Sequence, residues 1–376
     1  MRYQKGRAES KTHLQSVGCG GNGNHTRKIG GSLAAAAGTR ADEGRDAMNT
    51  QKTVEGVARQ VNPENMGRAP GPYGMSFGFD LTPLIQSIER IGLLNPPLLV
   101  EEEKGTFIPV TGYRRIQALN ALKWPHIPCR VLHRDQVSPL DCLLLNLYDN
   151  LTTRAFNVVE KGMIFNRLAT LVDVEAIRIH YLPLLDLPAN EKVLFLYMAI
   201  DRELPHEIKE TIARGRMALP VAQALLDMDA DDREQVFRAV QYLNFNINQQ
   251  KQFIEYLDDI CQIKKESVSV FLSRFSRDPV WSDPNLNTPQ RAKAVIRSLR
   301  GQRFPFLSDA EKSFKARVSR LDLPQDVRIG APPFFEGSHY RLEVRFKDGT
   351  ELKQHLDRLS RTHSLLKLGH PWEGDD

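Results

Sequence analysis

The most constraining stretch of the sequence is Phe107-Ile108-Pro109-Val110-Thr111-Gly112-Tyr113-Arg114-Arg115. A short apolar run ends at a glycine and two arginines. Beyond them Ile116, Leu119 and Leu122 fall on one face at helical spacing. A strand, a glycine and then a helix opening on arginines suit an anion. The glycine lets a phosphate approach the backbone, the helix N-terminus offers unpaired N–H groups, and an arginine fork gives paired charge-assisted bonds. The other reading of Arg114 and Arg115 is a solvated or salt-bridged pair at a helix start. A second stretch, Asp149-Asn150-Leu151-Thr152-Thr153, sets a carboxylate beside an amide at the end of another helical pattern. Both are hard oxygen donors of the kind that a phosphate-bound Mg²⁺ accepts.

The elements around these stretches follow from local chemistry. Thr82-Pro83 reads as an N-cap with a first-turn proline, Leu84, Ile85, Ile88 and Ile91 as a stripe, and Gly92 as the stop. A strand from Pro97 to Val100, a turn at Lys104-Gly105 and a second strand ending at Thr111 come next. The helix 113–122 and a third strand, Ile127 to Leu132, follow. Ser138-Pro139-Leu140-Asp141 then opens a helix running to about Asn150. The order α-β-β-α-β-α describes a small α+β domain over 76–157.

The remainder divides by composition. Residues 1–75 hold nine glycines in the first fifty positions and no apolar period, which reads as a disordered segment with Met48 or Met75 as alternative starts. Residues 158–280 are helical throughout. Residues 281–330 form a basic helical segment: nine Lys/Arg stand against Asp309 and Glu311 between 291 and 320, a local +7 in a chain of net +5. Lys293, Arg297 and Arg300 share one helix face opposite Ala292, Val295, Ile296 and Leu299. Ser308-Asp309-Ala310-Glu311 reads as a capping box opening the next helix, which carries Lys312 and Lys315. Such a charge run is either a solvated face or a DNA contact. Residues 331–376 form a small ββα-type unit, with Pro332 to Phe335 pairing a strand whose Tyr340, Leu342, Val344 and Phe346 make its buried face. No run approaches the ~18 apolar residues of a membrane span. The four scattered cysteines form no Cys-x-x-Cys pair, which argues for a reducing compartment and against structural zinc.

Three stretches together resemble the ParB N-terminal domain: Leu93-Leu94-Asn95-Pro96-Pro97-Leu98-Leu99-Val100, Gly112 through Leu119, and Asp149 through Glu160. Leu204 to Ile208, Arg214 to Ala218 and Val221 to Leu225 are similar to the segment that follows in that family. The resemblance covers about 79–227. It implies a ParB/sulfiredoxin-like fold, a CTP or other nucleoside triphosphate site, Mg²⁺, a homodimer, DNA as partner with a partition ATPase, and a cytoplasmic, nucleoid-associated setting. Residue by residue, Gly112, Arg114 and Arg115 would hold the triphosphate, Asp149 and Asn150 the Mg²⁺, and Asn95 stands where the family has a nucleotide-contacting Gln. Tyr113 replaces the family's Glu; it can stack on a base and cannot coordinate metal. Thr152 and Thr153 replace Gln-Arg, and Arg154 lies one residue on. Binding is thus implied more strongly than CTP hydrolysis. The stretch 190–200 occupies the second helix of the family's helix-turn-helix, yet it is largely apolar with Lys192 as its only base, so a buried helix with a degenerate reading role is expected. The rival class is an enzyme on the same fold, an NTP-dependent kinase or a nuclease. Sulfiredoxin chemistry is disfavoured, because Cys129 lies in an apolar strand and no cysteine falls within 112–115.

Overall fold

The computed structural model describes residues 55–66, 70–103 and 105–369. Its N-terminal part is a four-stranded mixed sheet. β1 (Val57–Val61), α1 (Thr82–Ile91), β2 (Leu98–Glu103), β3 (Thr106–Thr111), α2 (Tyr113–Ala121), β4 (Ile127–His133) and α3 (Pro139–Leu151) follow in chain order. The strands lie in the order β1-β4-β2-β3. β2 and β3 form an antiparallel hairpin, and β4 returns through α2 to lie parallel to β2 with Leu99 opposite Val131. Alternate side chains of a strand face opposite ways. Leu99 therefore packs with Ile88 of α1 and Ile116 and Leu119 of α2. Leu98 and Val100 pack on the other face with Leu143 and Leu147 of α3. A sheet covered on both faces explains the consecutive Leu98, Leu99 and Val100 that open β2, before the strand turns acidic at Glu101. The expected α+β class and the succession of elements from α1 to α3 are found.

Order begins earlier than residue 75. β1 pairs antiparallel with β4 along its whole length, Val57 opposite Val131 and Val61 opposite Ile127, so a start at Met75 would remove a strand from the sheet. The expectation of disorder for the first 54 residues lies outside the described residues.

A helical body follows: α4 (Val158–Leu168), an irregular α5 (174–184) with a π-turn at Ile177–Tyr181, α6 (Glu191–Glu203), α7 (His206–Ala213), α8 (Leu219–Asp227), α9 (Ala230–Leu243), α10 (Ile247–Lys264), α11 (Val268–Phe275), α12 (Thr288–Arg303) and α13 (Pro305–Ser319). Asn157 caps α4 and Glu160 returns the bond to the Asn157 N–H, a capping box. α4 and α6 cross closely. A Cβ on Gly162 would lie 2.2 Å from the Tyr197 carbonyl oxygen, so only glycine fits there. α13 begins at Pro305 rather than at Ser308. The proline takes the first helical position, and Glu311 turns back to α12 instead of closing a capping box.

The C-terminal unit pairs β5 (Val327–Gly330) antiparallel with β6 (Arg341–Val344), followed by α14 (Gly349–Ser360), capped by Asp348. The expected partner strand, Pro332 to Phe335, is a 3₁₀ turn at Pro333–Phe335, and the unit starts before residue 331. The face expected to be buried is also not buried: Leu342 of β6 is 52% exposed, and Phe346, just past the strand's end, 50%. A two-stranded ribbon with one helix lacks the layer that would cover it.

Candidate nucleotide site

The turn between β3 and α2 has the backbone that the sequence requires. Gly112 is left-handed, with φ of 79°, and stands at the N-cap of α2 with no side-chain cap. By helix geometry the first-turn amides of α2 have no in-helix acceptors, and Gly112 has no side chain to offer them one. A Cβ on Gly112 would lie 3.0 Å from Pro97 Cα and 3.2 Å from Arg115 Nε, so the glycine is needed both for its φ and for its closeness to the β2 approach.

Arg115 is the arginine that faces this turn. Its Nη1 donates to the Asn95 backbone carbonyl at 2.6 Å, and its Nη2 lies 3.6 Å from Asp149 Oδ2. Three of the expected stretches thus meet: the loop before β2, the start of α2 and the end of α3. Asn95 itself is exposed and contributes its carbonyl to this contact. Tyr113 is half-buried and meets Phe79 edge-on at 6.2 Å; burial pushes its phenol pKa above the ordinary value.

Arg114 points elsewhere. Its Nη2 donates to Glu160 Oε1 at 2.8 Å, its Nε to Ser76 Oγ at 3.2 Å, and its guanidinium lies 4.8 Å from the Phe79 ring centre. Burial lowers its pKa and neighbouring Arg154 adds to that, with Glu160 opposing both. Glu160 is 1% exposed and fully engaged. Its Oε1 also accepts from the Phe77 N–H, and its Oε2 accepts from Arg154 at 2.6 Å and from the Asn157 N–H at 3.1 Å. Arg154 continues the network to the Met75 carbonyl and to Asn150 Oδ1 at 2.7 Å. The Asn150 amide nitrogen donates to Asn146. Of the two arginines expected at the phosphates, Arg114 is therefore held in a close ion pair with a buried carboxylate, whereas Arg115 keeps only a longer one with the exposed Asp149. Asn150 spends its side-chain oxygen on Arg154.

That bears on Mg²⁺. The ion keeps several waters and needs only one or two protein oxygens beside substrate phosphates. Asp149, 47% exposed, can supply one; Asn150 can do so only by releasing Arg154. No group of three or more His, Cys, Asp or Glu able to hold a metal occurs among the described residues. Burial pushes the Cys129 thiol up to about 12 and Cys142 up to about 11, the reverse of what a reactive thiolate needs.

Farther along the chain, the basic positions separate. Lys293 and Arg297 are exposed on α12, and Lys315 is exposed on α13. Arg300, expected beside the first two on a free face, makes a two-pronged ion pair with Glu311 of α13, at 2.7 and 2.8 Å. Lys312 pairs with Asp309 at 3.3 Å. Those two acids are already counted in the local +7; from outside the stretch, Asp259 of α10 accepts from Arg303 Nε at 2.7 Å and offsets one further charge. α6, expected to be buried, is so on one side only: Leu194, Tyr197, Met198 and Ile200 are buried, whereas Lys192, Phe195 and Arg202 face solvent.

Residues 50–146 match the ParB N-terminal domain family. No curated protein matches the sequence. Solved structures similar to part of the chain include the C-terminally truncated chromosome-partitioning protein ParB from Caulobacter crescentus complexed with CTP-γ-S, at 22% identity over 46% of this chain and 93% of that one, TM-score 0.23. The same Caulobacter crescentus protein complexed to the centromeric parS site is similar at 15% identity over 52% of this chain and 98% of that one, TM-score 0.29. By the family match over those residues, and with its mixed sheet, the stretch 50–146 is a ParB N-terminal domain.

Proposed function

We propose that this chain is a ParB-type DNA partition protein that binds a nucleoside triphosphate of the CTP type at the α2 N-terminus, with Mg²⁺ carried on the phosphates. The single observation that supports this most is the placement of Arg115 between the Asn95 carbonyl and Asp149, directly beside the left-handed Gly112 turn. Phosphate oxygens would take the first-turn amides of α2 and the Arg115 fork, and Tyr113 with Phe79 offers aromatic surface to a base. Asp149 would carry the protein's oxygen ligand to the metal. DNA is the proposed macromolecular partner, with Lys293, Arg297 and Lys315 as phosphate contacts. A partition ATPase and a second copy of the chain are the proposed protein partners.

The experiment is a thermal-shift panel of CTP, UTP, ATP and GTP with Mg²⁺ on wild type and Arg115→Ala. A ligand that binds only the folded form raises the melting temperature. CTP should give the largest rise, and Arg115→Ala should abolish it while remaining folded. No rise with any of the four at millimolar concentration overturns the nucleotide site.

A further inference from the structure

The contact between Arg115 and Asp149 has a geometry that a plain metal ligand does not require. Arg115 is anchored by its backbone contact: Nη1 donates to the Asn95 carbonyl at 2.6 Å, and Nε lies close enough to the turn that a Cβ on Gly112 would come within 3.2 Å of it. Asp149 is held far less tightly. Its Oδ2 stands 3.6 Å from Nη2, beyond hydrogen-bond reach, and the side chain is 47% exposed against 24% for Arg115. The Thr152 and Thr153 hydroxyls bond the backbone carbonyl of Asp149, at 3.1 and 3.2 Å, and so fix the helix end without fixing the carboxylate. The fork is the more firmly held of the two groups, and the carboxylate the more weakly held.

We propose that Asp149 makes this site selective for metal-complexed triphosphates: it is the counter-ion of Arg115 until a phosphate displaces it, and only a metal brought with the phosphates gives it a new partner. The inference rests on the nucleotide reading above and adds a selectivity role for one residue. A bare polyphosphate reaching Nη2 leaves the Asp149 charge beside its own, and like charges in one site repel. The Mg²⁺ complex places a cation between the two. No neighbour can substitute. Position 113 is a tyrosine, the Asn150 oxygen holds Arg154, and Glu160 is buried between Arg114 and Arg154. Asp149 is the one carboxylate paired with Arg115 among the described residues. It lies at the C-terminal end of α3, whose dipole also favours a cation there.

The test uses calorimetric titration of the full chain with CTP and with inorganic tripolyphosphate, each in Mg²⁺ and in a chelator. Wild type should bind both ligands more weakly in chelator, by about tenfold or more. Asp149→Asn should bind metal-free tripolyphosphate about tenfold more tightly than wild type, so that most of the metal dependence disappears. Asp149→Ser, which cannot mimic the planar group, should do the same. Its unchanged melting temperature would report an intact fold. Loss of affinity in Mg²⁺ with no gain in chelator would make Asp149 a ligand only and overturn the proposal. Equal loss in both conditions would make it a structural helix terminus and also overturn it. In either case wild-type binding leaves the nucleotide reading standing. If wild type and both variants bind neither ligand, the nucleotide reading fails and takes this inference with it.

Discussion

Arg114 and Arg115 are neighbours of equal charge with different work. Arg114 belongs to a buried cluster in which one carboxylate, Glu160, faces two guanidiniums and two backbone N–H groups. Removing one partner of a buried ion pair leaves uncompensated charge, which typically costs ~3–5 kcal/mol. Arg114 is partly exposed, so the lower end applies. Glu160→Ala should therefore lower the unfolding free energy by about 3 kcal/mol in a urea titration. Arg115→Ala removes the long ion pair with Asp149 and the exposed hydrogen bond to the Asn95 carbonyl, and its cost should stay at ~1–2 kcal/mol. The opposite ranking would mean that Arg115, and not the cluster at Glu160, carries the larger share of the fold's stability. Gly112→Ala offers a separate check on the turn. A left-handed backbone with a Cβ against Pro97 should cost ~1–3 kcal/mol, and the displaced Arg115 should lose the nucleotide-induced rise in melting temperature.

At the scale of elements, α12 and α13 decide how the basic segment works. Lys293 and Arg297 are the exposed cations of α12, while Arg300 fastens α13 through Glu311. Reversing Lys293 and Arg297 to Glu should flatten the slope of log K for duplex DNA against log salt by about two units, since each phosphate contact contributes about −0.9. The fold should persist, because Ala292, Val295 and Leu299 stay buried. Arg300→Glu should instead loosen α13, visible as faster amide exchange over 305–319. Acid should do the same. The Glu311 carboxyl lies below its ordinary range because Arg300 donates to it, so this contribution is whole above the ordinary glutamate pKa and lost as pH falls through the depressed one. An unchanged salt slope in the double variant would leave the charge run a solvated face. Much of this level was legible in the sequence. Apolar runs and Gly or Pro punctuation place β2, β3, α2 and β4, and the buried stripe of α12 follows from its spacing. β1 was not legible, because Val57-Ala58-Arg59-Gln60-Val61 is a short edge strand with Val57 half in solvent. Neither was the cluster at Glu160, whose partners Arg114 and the Phe77 N–H lie 46 and 83 positions away. Spacing along a chain carries no trace of such contacts. The motif that contains Glu160 was visible; what its carboxylate touches was not.

The molecule as a whole has one part that does not close on itself. The helical body buries a continuous core from Val159 to Leu299. The C-terminal unit buries little beyond Val327, Phe335 and Leu359, while Leu342, Phe346 and Leu356 each remain at least half exposed. An isolated two-stranded ribbon is marginal in water, and it gains stability by packing against a further layer. Phe314 of α13 supplies part of that layer, stacking on Tyr340 at 5.7 Å and meeting Phe335 edge-on at 5.9 Å. The apolar residues of β6 and α14 that remain uncovered are the ones that alternation and helical spacing would direct to a core. A second copy of the chain would cover them symmetrically, the simplest closed arrangement for a self-complementary surface. Sedimentation velocity on the full chain should then give a dimer at micromolar concentration. Leu342→Glu with Leu356→Glu should give a monomer, because charges brought into an apolar interface have no partners there. Both variants lie far in sequence from Gly112 and Arg115, so the rise in melting temperature on adding CTP and Mg²⁺ should survive in the monomer. A wild type that sediments as a monomer would assign those side chains to a different partner. A dimer that persists in the double variant would place the contact between copies elsewhere in the chain.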